Sequence, residues 1–319
     1  MDYLKPRIEY YRQRTFSEKM NVTFDFIREN WKPLLKYTFY LIMPICLIQT
    51  FAMNAFVLSY LNFAMSLGSI VEGSFGGSTV SNLTGFMLNY GITLLCAVIG
   101  SSILSGLVYA MMQTYATRTN GLQGVKIDDF KENLIRNAWR CLSITFFLIV
   151  ICLIIIGFAT LLAVTVSVFS LFLTVPLVLL LLLCLIPLSL VVPVYLFERD
   201  ITFLEAFSKA WKLGIKTFLG LLGLIIILSI ISYVIQIVTT MPWYLTIFIG
   251  GILTAVQEAA LNQSVVYKFS IYILGLVQTY GSYVASIITI IGLAFQYFHA
   301  REKVEGVTIE YNIENFNQL

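Results

Sequence analysis

Three of the four tryptophans in the chain are followed directly by a basic residue, in the pairs Trp31–Lys32, Trp139–Arg140 and Trp211–Lys212. A tryptophan ring has an apolar body and one polar N–H group, and its neighbour carries a positive charge. This combination suits a membrane surface, where the ring lies at headgroup depth and the cation meets anionic headgroups. The six residues of these pairs are predicted to bind lipid headgroups, and so are Lys209 and Lys216.

A second polar group lies outside the basic segments and contains Gln257, Glu258, Asn262 and Lys268. Ionisable residues at membrane depth are often functional, because burying them in lipid is costly. If the surrounding chain enters the membrane, these side chains could line a polar cavity or pair as buried ions. If it lies at the surface, they are solvated. Both alternatives are open.

The residues needed for common catalytic sites are missing from the sequence. His299 is the only histidine, so sites that need paired histidines are excluded. We expect His299 to be a solvated residue at the cytoplasmic end of the last span. The five cysteines show no CxxC pairing and lie in or beside apolar runs. The sequence therefore predicts a non-enzymatic protein with no metal and no cofactor, and nothing in it argues for nucleic-acid binding.

Most of the chain beside these residues is predicted to form membrane spans. The chain is 59% hydrophobic and 12% charged, whereas soluble domains are about 25% charged. From Cys141 to Phe197 it contains no Asp, Glu, Lys, Arg or His. As a single helix this run would be about 85 Å long, roughly twice a bilayer, so it must contain two spans.

The predicted fold is an all-α integral membrane domain covering residues 1–319. It has six transmembrane helices, at about 34–60, 86–113, 141–165, 172–197, 217–239 and 269–299. Every Lys and Arg except Lys268 then falls on one side, which the positive-inside rule makes cytoplasmic. Both termini are therefore predicted to be cytoplasmic. Residues 242–267 do not fit this scheme, and an interfacial helix, a re-entrant segment and a seventh span all stay open.

The phrase "IRENWKPL" at residues 27–34 returns as "IRNAWRCL" at residues 135–142, each time just before an apolar run. Helical spacing places Phe16, Met20, Phe24, Ile27, Trp31 and Leu34 on one apolar face. In a third, looser copy, Phe203, Phe207, Trp211 and Gly214 face one way. The sequence therefore predicts three parallel repeats, each a cytoplasmic amphipathic helix followed by a hairpin of two spans. Their approximate bounds are 15–113, 127–197 and 202–299, with a cytoplasmic tail at 300–319.

The stretch "VVPVYLFERDITFLEAFSKAWKLGIKTFLGLLGLIIIL" resembles the central signature of the glycerophosphoryl diester phosphodiesterase membrane-domain family. In that signature a proline-containing span ends in an acidic turn, here Glu198 and Asp200. The tail "YFHAREKVEGVTIE" resembles the ending of the family through Arg301 and Glu305, although His299 stands where an acidic residue is more common. The resemblance implies a multi-pass module of a bacterial cytoplasmic (inner) membrane. It does not imply phosphodiesterase activity, because the chain has no room for the catalytic barrel.

The expected function is therefore to bind membrane lipids through their anionic headgroups, or to organise partner membrane proteins or copies of the chain itself. The alternative is a transporter or channel for a small solute. Parallel repeats and a proline-kinked span favour the alternative, and the scarcity of charge inside the membrane weakens it. An intramembrane enzyme is the least supported function.

Overall fold

The computed structural model describes residues 8–71, 77–165, 176, 183–198, 200–257 and 264–308. Regular structure in these ranges is helical, which confirms the predicted all-α class. The helices are α1 (Phe16–Val71), α2 (Gly77–Thr117), α3 (Lys131–Thr165), α4 (Val191–Phe197), α5 (Phe203–Lys216), α6 (Phe218–Gln257) and α7 (Val265–Glu305). A short 3₁₀ helix, Ile127–Asp129, precedes α3.

Five helical ranges are long and apolar enough to cross a membrane, as expected of a multi-pass membrane protein. They are Phe16–Tyr60, Thr79–Thr117, Lys131–Ile154, Phe218–Gly250 and Val265–Glu305. Of the predicted fourth span, 172–197, the structure describes residues 176 and 183–197, and the rest lies outside the described residues. Its described part includes the shorter apolar helix Leu183–Phe197. The sixth crossing therefore stays a prediction.

Helix α1 is kinked where the predicted interfacial helix meets the first span. Asn30 has non-helical dihedral angles of φ −118° and ψ 15°. Pro33 explains the kink, because it has no N–H to donate to the Glu29 carbonyl and its ring crowds that oxygen. Next to the kink, the buried Asn30 Nδ2 donates to the Phe26 carbonyl at 2.9 Å.

The second and third predicted interfacial helices differ from each other. Helix α3 runs without a break from Lys131 through the predicted span, so the second amphipathic segment is the first part of that helix. In contrast, α5 is a separate helix of 14 residues that ends at Lys216, and the following residue, Thr217, has dihedral angles of φ −121° and ψ 22°. Helix α6 begins at the next residue.

The prediction of a separate segment at 242–267 is wrong for residues 242–257, because α6 continues through Pro242 to Gln257. Trp243, in this part of α6, is only 1% exposed. Its Nε1 donates to Asn54 Oδ1 at 3.1 Å. A tryptophan whose N–H finds a protein partner can be buried at little cost, so it packs inside rather than at the membrane surface. Residues 258–263 lie outside the described residues.

The chain divides into two compact units. The first contains Met1–Leu34, Ser105–Ile230 and Ile287–Leu319. Its core is aromatic, with Phe26, Tyr109, Phe130, Phe295 and Phe298 among the buried side chains. The N-terminal segment packs onto this core, because the Tyr10 ring stacks on Phe298 with centroids 4.7 Å apart. Tyr10 also donates from its hydroxyl to the Met112 carbonyl at 2.8 Å.

The second unit contains Leu35–Leu104 and Ile231–Ser286. Polar side chains bond to one another inside it: Tyr283 donates to Gln49 Oε1 at 2.7 Å, and Thr50 lies 3.2 Å from Thr279, oxygen to oxygen. Small residues allow close helix approach here, since a Cβ added at Gly281 would lie 2.5 Å from Thr239 Oγ1.

Candidate functional site

The predicted repeats begin with the same local hydrogen bond. Thr15, Lys126 and Thr202 each donate a backbone N–H to an acidic side chain three residues later, at distances of 2.7, 2.8 and 2.8 Å. The acceptors are Glu18, Asp129 and Glu205. At Thr15 and Thr202 the hydroxyl also accepts from the backbone N–H of the glutamate, which completes a capping box. These bonds lower the pKa of the Asp129 and Glu205 carboxyl groups, because they stabilise the charged form.

Helix α5 packs on the protein through small side chains and through half-buried Phe203 and Phe207 of its predicted aromatic face, whose rings contact Phe147. Ala206, Ala210, Leu213 and Gly214 are buried. A Cβ added at Gly214 would lie 2.5 Å from Pro187 Cα, so the two backbones are in direct contact. Of the predicted face, only Gly214 is buried, while Trp211 is exposed. Close approach requires small residues, and these residues define the buried face here.

The outward side of α5 carries an apolar stripe beside positive charge. Leu204, Trp211 and Ile215 are exposed at i, i+7 and i+11, which places them on one side of a helix. Lys212 and Lys216 are exposed next to this stripe. We call these five residues the α5 surface. It matches a helix that lies in the membrane interface with its basic residues among the headgroups.

The other two tryptophans of the predicted lipid-binding set are also exposed. Trp31 is 50% exposed and Trp139 is 66% exposed. Lys32 Nζ lies 5.7 Å from the centroid of the Trp31 ring, which is within the range of a cation–π contact. The buried side of α1 in this region is formed instead by Lys19, Thr23, Phe26, Asn30 and Leu34. Of the predicted apolar face, Leu34 is buried and Met20 and Ile27 are half-buried, whereas Phe16, Phe24 and Trp31 are exposed.

Two basic residues of the predicted lipid-binding set bond to the protein itself. Arg140 donates to the Tyr195 carbonyl at 2.7 Å, and its guanidinium lies 4.5 Å from the Tyr195 ring centroid. Lys209 Nζ lies 2.8 Å from Glu198 Oε2 and 3.0 Å from Glu305 Oε1. Both cations therefore already have partners that compete with a headgroup.

Lys209 belongs to a cluster that we call the Glu198 network, formed by Glu198, Lys209, Arg301, Glu305 and Tyr297. Arg301 Nε lies 3.0 Å from Glu305 Oε2 and 3.5 Å from Glu198 Oε1. Tyr297 donates its hydroxyl to Glu198 Oε1 at 2.9 Å. The Glu198 side chain is 9% exposed. Two carboxylates face two cations, so the charges of the network balance.

The predicted polar cavity falls largely outside the described part of the chain. Glu258 and Asn262 lie there, and Gln257 is the last residue of α6. Lys268 is exposed near the start of α7. The structure therefore does not test whether these four residues come together.

His299 is half-buried, so the expectation of a solvated histidine is wrong. Its Nδ1 accepts a hydrogen bond from the Arg14 backbone N–H at 3.0 Å. The cause is the N-terminal segment, which packs across this end of α7. A sequence pattern cannot show such a contact, because residues 14 and 299 are far apart in the chain.

Sequence reasoning did not identify Lys19, which is buried and bonds to Gln296 Oε1, or Arg301, which belongs to the Glu198 network. For Lys19 a signal was present, since Lys19, Thr23 and Asn30 share one helical face at i, i+4 and i+11. For Arg301 the resemblance pointed to the residue without indicating its partners. Comparison of the chain with family models, curated proteins and solved structures finds no match. The resemblance to the glycerophosphoryl diester phosphodiesterase membrane-domain family therefore stays a prediction from the residues quoted for it.

Proposed function

We propose that this chain is a non-enzymatic, multi-pass protein of a bacterial cytoplasmic membrane that binds anionic lipid headgroups on its cytoplasmic side. The observation that carries the proposal is the α5 surface, where exposed Leu204, Trp211 and Ile215 adjoin exposed Lys212 and Lys216. In water such a stripe would be unfavourable, because apolar area costs about 25 cal/mol per Å². At a membrane surface the same stripe is buried among acyl chains.

The charges of the α5 surface support a preference for anionic lipids. Each lysine near an anionic membrane surface contributes about 1 kcal/mol of attraction. Trp31, Lys32 and Trp139 are exposed as well. Through these residues the α1 segment adds the same combination of aromatic ring and positive charge, and the α3 segment adds an aromatic ring. Arg140 and Lys209 take part less directly, because they bond to Tyr195 and Glu198.

The shared acidic cap at the three helix starts supports the proposed threefold repeat. An interfacial helix followed by two spans, repeated three times, gives six crossings and places both termini in the cytoplasm. In this arrangement all three caps lie on the cytoplasmic side. The distribution of Lys and Arg along the sequence supports the same orientation.

The test is lipid retention by the full chain after gentle extraction from its membrane, read by native mass spectrometry. The variant combines Trp211→Ala with Lys212→Gln. The matched control is Lys131→Gln, an exposed lysine at the start of α3 that follows no tryptophan. We expect less bound anionic lipid in the variant than in the control. Equal retention in both would overturn the proposal.

A second candidate function is passage of a small solute, favoured by the polar side chains inside the second unit. Gln49, Thr50, Asn54, Thr279 and Tyr283 bond to partners there. Such groups also form hydrogen bonds that stabilise the packing of neighbouring helices. Solute flux in proteoliposomes distinguishes a path for solute from helix packing. Gln49→Leu should change the flux only if these polar side chains line a path.

A further inference from the structure

A cavity of about 320 Å³ in the first unit is lined by basic side chains. Its titratable lining residues are Lys19, Lys216, His299 and Lys303, and the others are Ile215, Thr217, Phe218, Leu219 and Gly220. The volume is at the lower end of the range for small-molecule sites, about 300–1,000 Å³. We call this the basic cavity. No acidic side chain is among its lining residues.

Lys19 is the most deeply buried of the basic residues that line the cavity, since it is only 3% exposed. Its Nζ bonds to the neutral Gln296 Oε1 at 2.7 Å, and Gln296 in turn donates to Thr217 Oγ1 at 3.2 Å. Within the described ranges Lys19 forms no ion pair. A buried charge without a counter-ion is costly, since its hydration has been removed and a single amide oxygen replaces it only in part.

The Glu198 network provides a comparison within the same unit. There, Lys209 and Arg301 are balanced by Glu198 and Glu305 within 3.5 Å. In the basic cavity, three lysines are brought together, and among the described residues the hydrogen-bond partner of Lys19 Nζ is an amide oxygen. The network is therefore complete as it stands, whereas the basic cavity carries uncompensated positive charge.

His299 adds a hydrogen-bond donor to the basic cavity. Because Nδ1 accepts from the Arg14 N–H, a neutral imidazole must carry its proton on Nε2. The tautomer thus follows from the position of the N-terminal segment. Nε2 is then the ring nitrogen that can donate to a ligand.

The start of α6 adds backbone donors. Phe218, Leu219 and Gly220 line the cavity and form the first turn of this helix. The first N–H groups of a helix and the positive end of its dipole favour an anion. Lys19 lies beside them, because a Cβ added at Gly220 would lie 3.3 Å from Lys19 Nζ.

We infer that the basic cavity binds a phosphate group, with Lys19 at its buried side and Lys303 and Lys216 at its exposed side. A phosphate oxyanion supplies the missing negative charge and accepts from ammonium, imidazole and backbone N–H donors together. The group can belong to a lipid headgroup or to a soluble compound. The lipid source rests on the proposed function, and the soluble source does not.

The test uses the full chain in nanodiscs of neutral phosphatidylcholine, with the melting temperature followed against inorganic phosphate. Chloride at equal ionic strength is the salt control. A ligand that binds the folded state raises the melting temperature with its concentration, which yields an apparent affinity. A parallel series replaces free phosphate by phosphatidic acid in the nanodisc, and so distinguishes a lipid headgroup from a soluble source.

The variants are Lys19→Met, Lys303→Gln and the control Lys131→Gln. We expect Lys303→Gln to weaken apparent binding about threefold, because an exposed ion pair is partly screened. We expect Lys19→Met to weaken it about tenfold or more, as for a buried charged hydrogen bond. The control should bind as the parent does. If Lys19→Met does not fold, Lys303→Glu replaces it and should weaken binding more than Lys303→Gln.

Each outcome decides the inference. A response to phosphate or to phosphatidic acid that is reduced in the cavity variants supports it and identifies the source. The inference is overturned if neither ligand raises the melting temperature, or if the cavity variants respond as the control does. The proposed function is tested separately, since Trp211→Ala with Lys212→Gln alters the α5 surface and leaves the lining of the cavity intact.

Discussion

Lys209 Nζ lies 2.8 Å from Glu198 Oε2, so an ion pair joins helix α5 to the residue that follows α4. Arg301 extends this contact to α7, because its Nε lies 3.5 Å from Glu198 Oε1. Glu198 therefore connects three helices of the first unit through one carboxylate. The acidic turn at 198–200 is thus a structural junction, and only one of its two acids performs this role.

Replacing Glu198 by Gln is expected to destabilise the protein by about 2 kcal/mol, because Lys209 and Arg301 would share a single carboxylate. The cost is below that of a fully buried pair, since both cations are partly exposed. Thermal unfolding of the full chain in a fixed detergent measures the change. The matched control is Asp200→Asn in the same turn, at an exposed position. An equal loss of stability in both variants would contradict the assigned role of Glu198.

Thr202→Ala removes one half of the capping box of α5 and is expected to cost about 0.5–2 kcal/mol of stability. The control is Ser208→Ala, at an exposed position within the same helix. The two variants are compared by melting temperature at neutral pH. No difference between them would mean that the start of α5 does not depend on the cap.

The contribution of Glu205 to this cap should depend on pH with a defined sign. Its hydrogen bond to the Thr202 N–H, followed by that to the Thr202 hydroxyl, lowers its pKa below the ordinary 4.5. A carboxyl group with a lowered folded-state pKa stabilises the fold above its unfolded pKa, and the effect is lost as pH falls through the folded value. The melting-temperature difference between the parent and Glu205→Gln should therefore shrink below pH 4.5. A constant difference across this range would contradict the assignment.

Gly214→Ala is expected to destabilise the protein by about 1–3 kcal/mol, because the backbones of α5 and Pro187 would have to separate. The added Cβ would lie 2.5 Å from Pro187 Cα. Gly157→Ala is the control, since a Cβ there meets nothing within 4 Å. That substitution should be neutral or slightly stabilising, because alanine favours a helix over glycine. Folded yield and melting temperature give the comparison.

The sixth crossing can be tested by labelling in intact cells. In a chain whose five cysteines are replaced by alanine, single cysteines are placed as Asn120→Cys and Ser167→Cys. With six spans, residue 120 is cytoplasmic and residue 167 is outside, so a membrane-impermeant maleimide should label only the second. Labelling at residue 120, or protection of residue 167, would contradict the predicted topology.

Structural features that depend on residues close together in the sequence were predicted correctly. Long charge-free runs indicated helices that are long enough to cross a membrane, and five such helices are present. A helix at the third repeat was also anticipated, because apolar residues recur there at helical spacing. Its orientation was anticipated only in part, since Gly214 is buried and Phe203 and Phe207 are half-buried, whereas Trp211 is exposed. Hydropathy selects the face with the largest apolar side chains, whereas close backbone packing selects the face with the smallest.

The sequence alone determined the helical class, the membrane-spanning character and the exposed tryptophan–lysine pairs at Trp31 and Trp211. Each of these follows from local composition and helical periodicity. Only the tertiary structure decided that Lys209 pairs with Glu198, that Trp243 is buried against Asn54, and that Lys19 and His299 line one cavity. These contacts join residues that are distant in the chain. Their energies depend on burial and charge balance, which arise only when the helices pack.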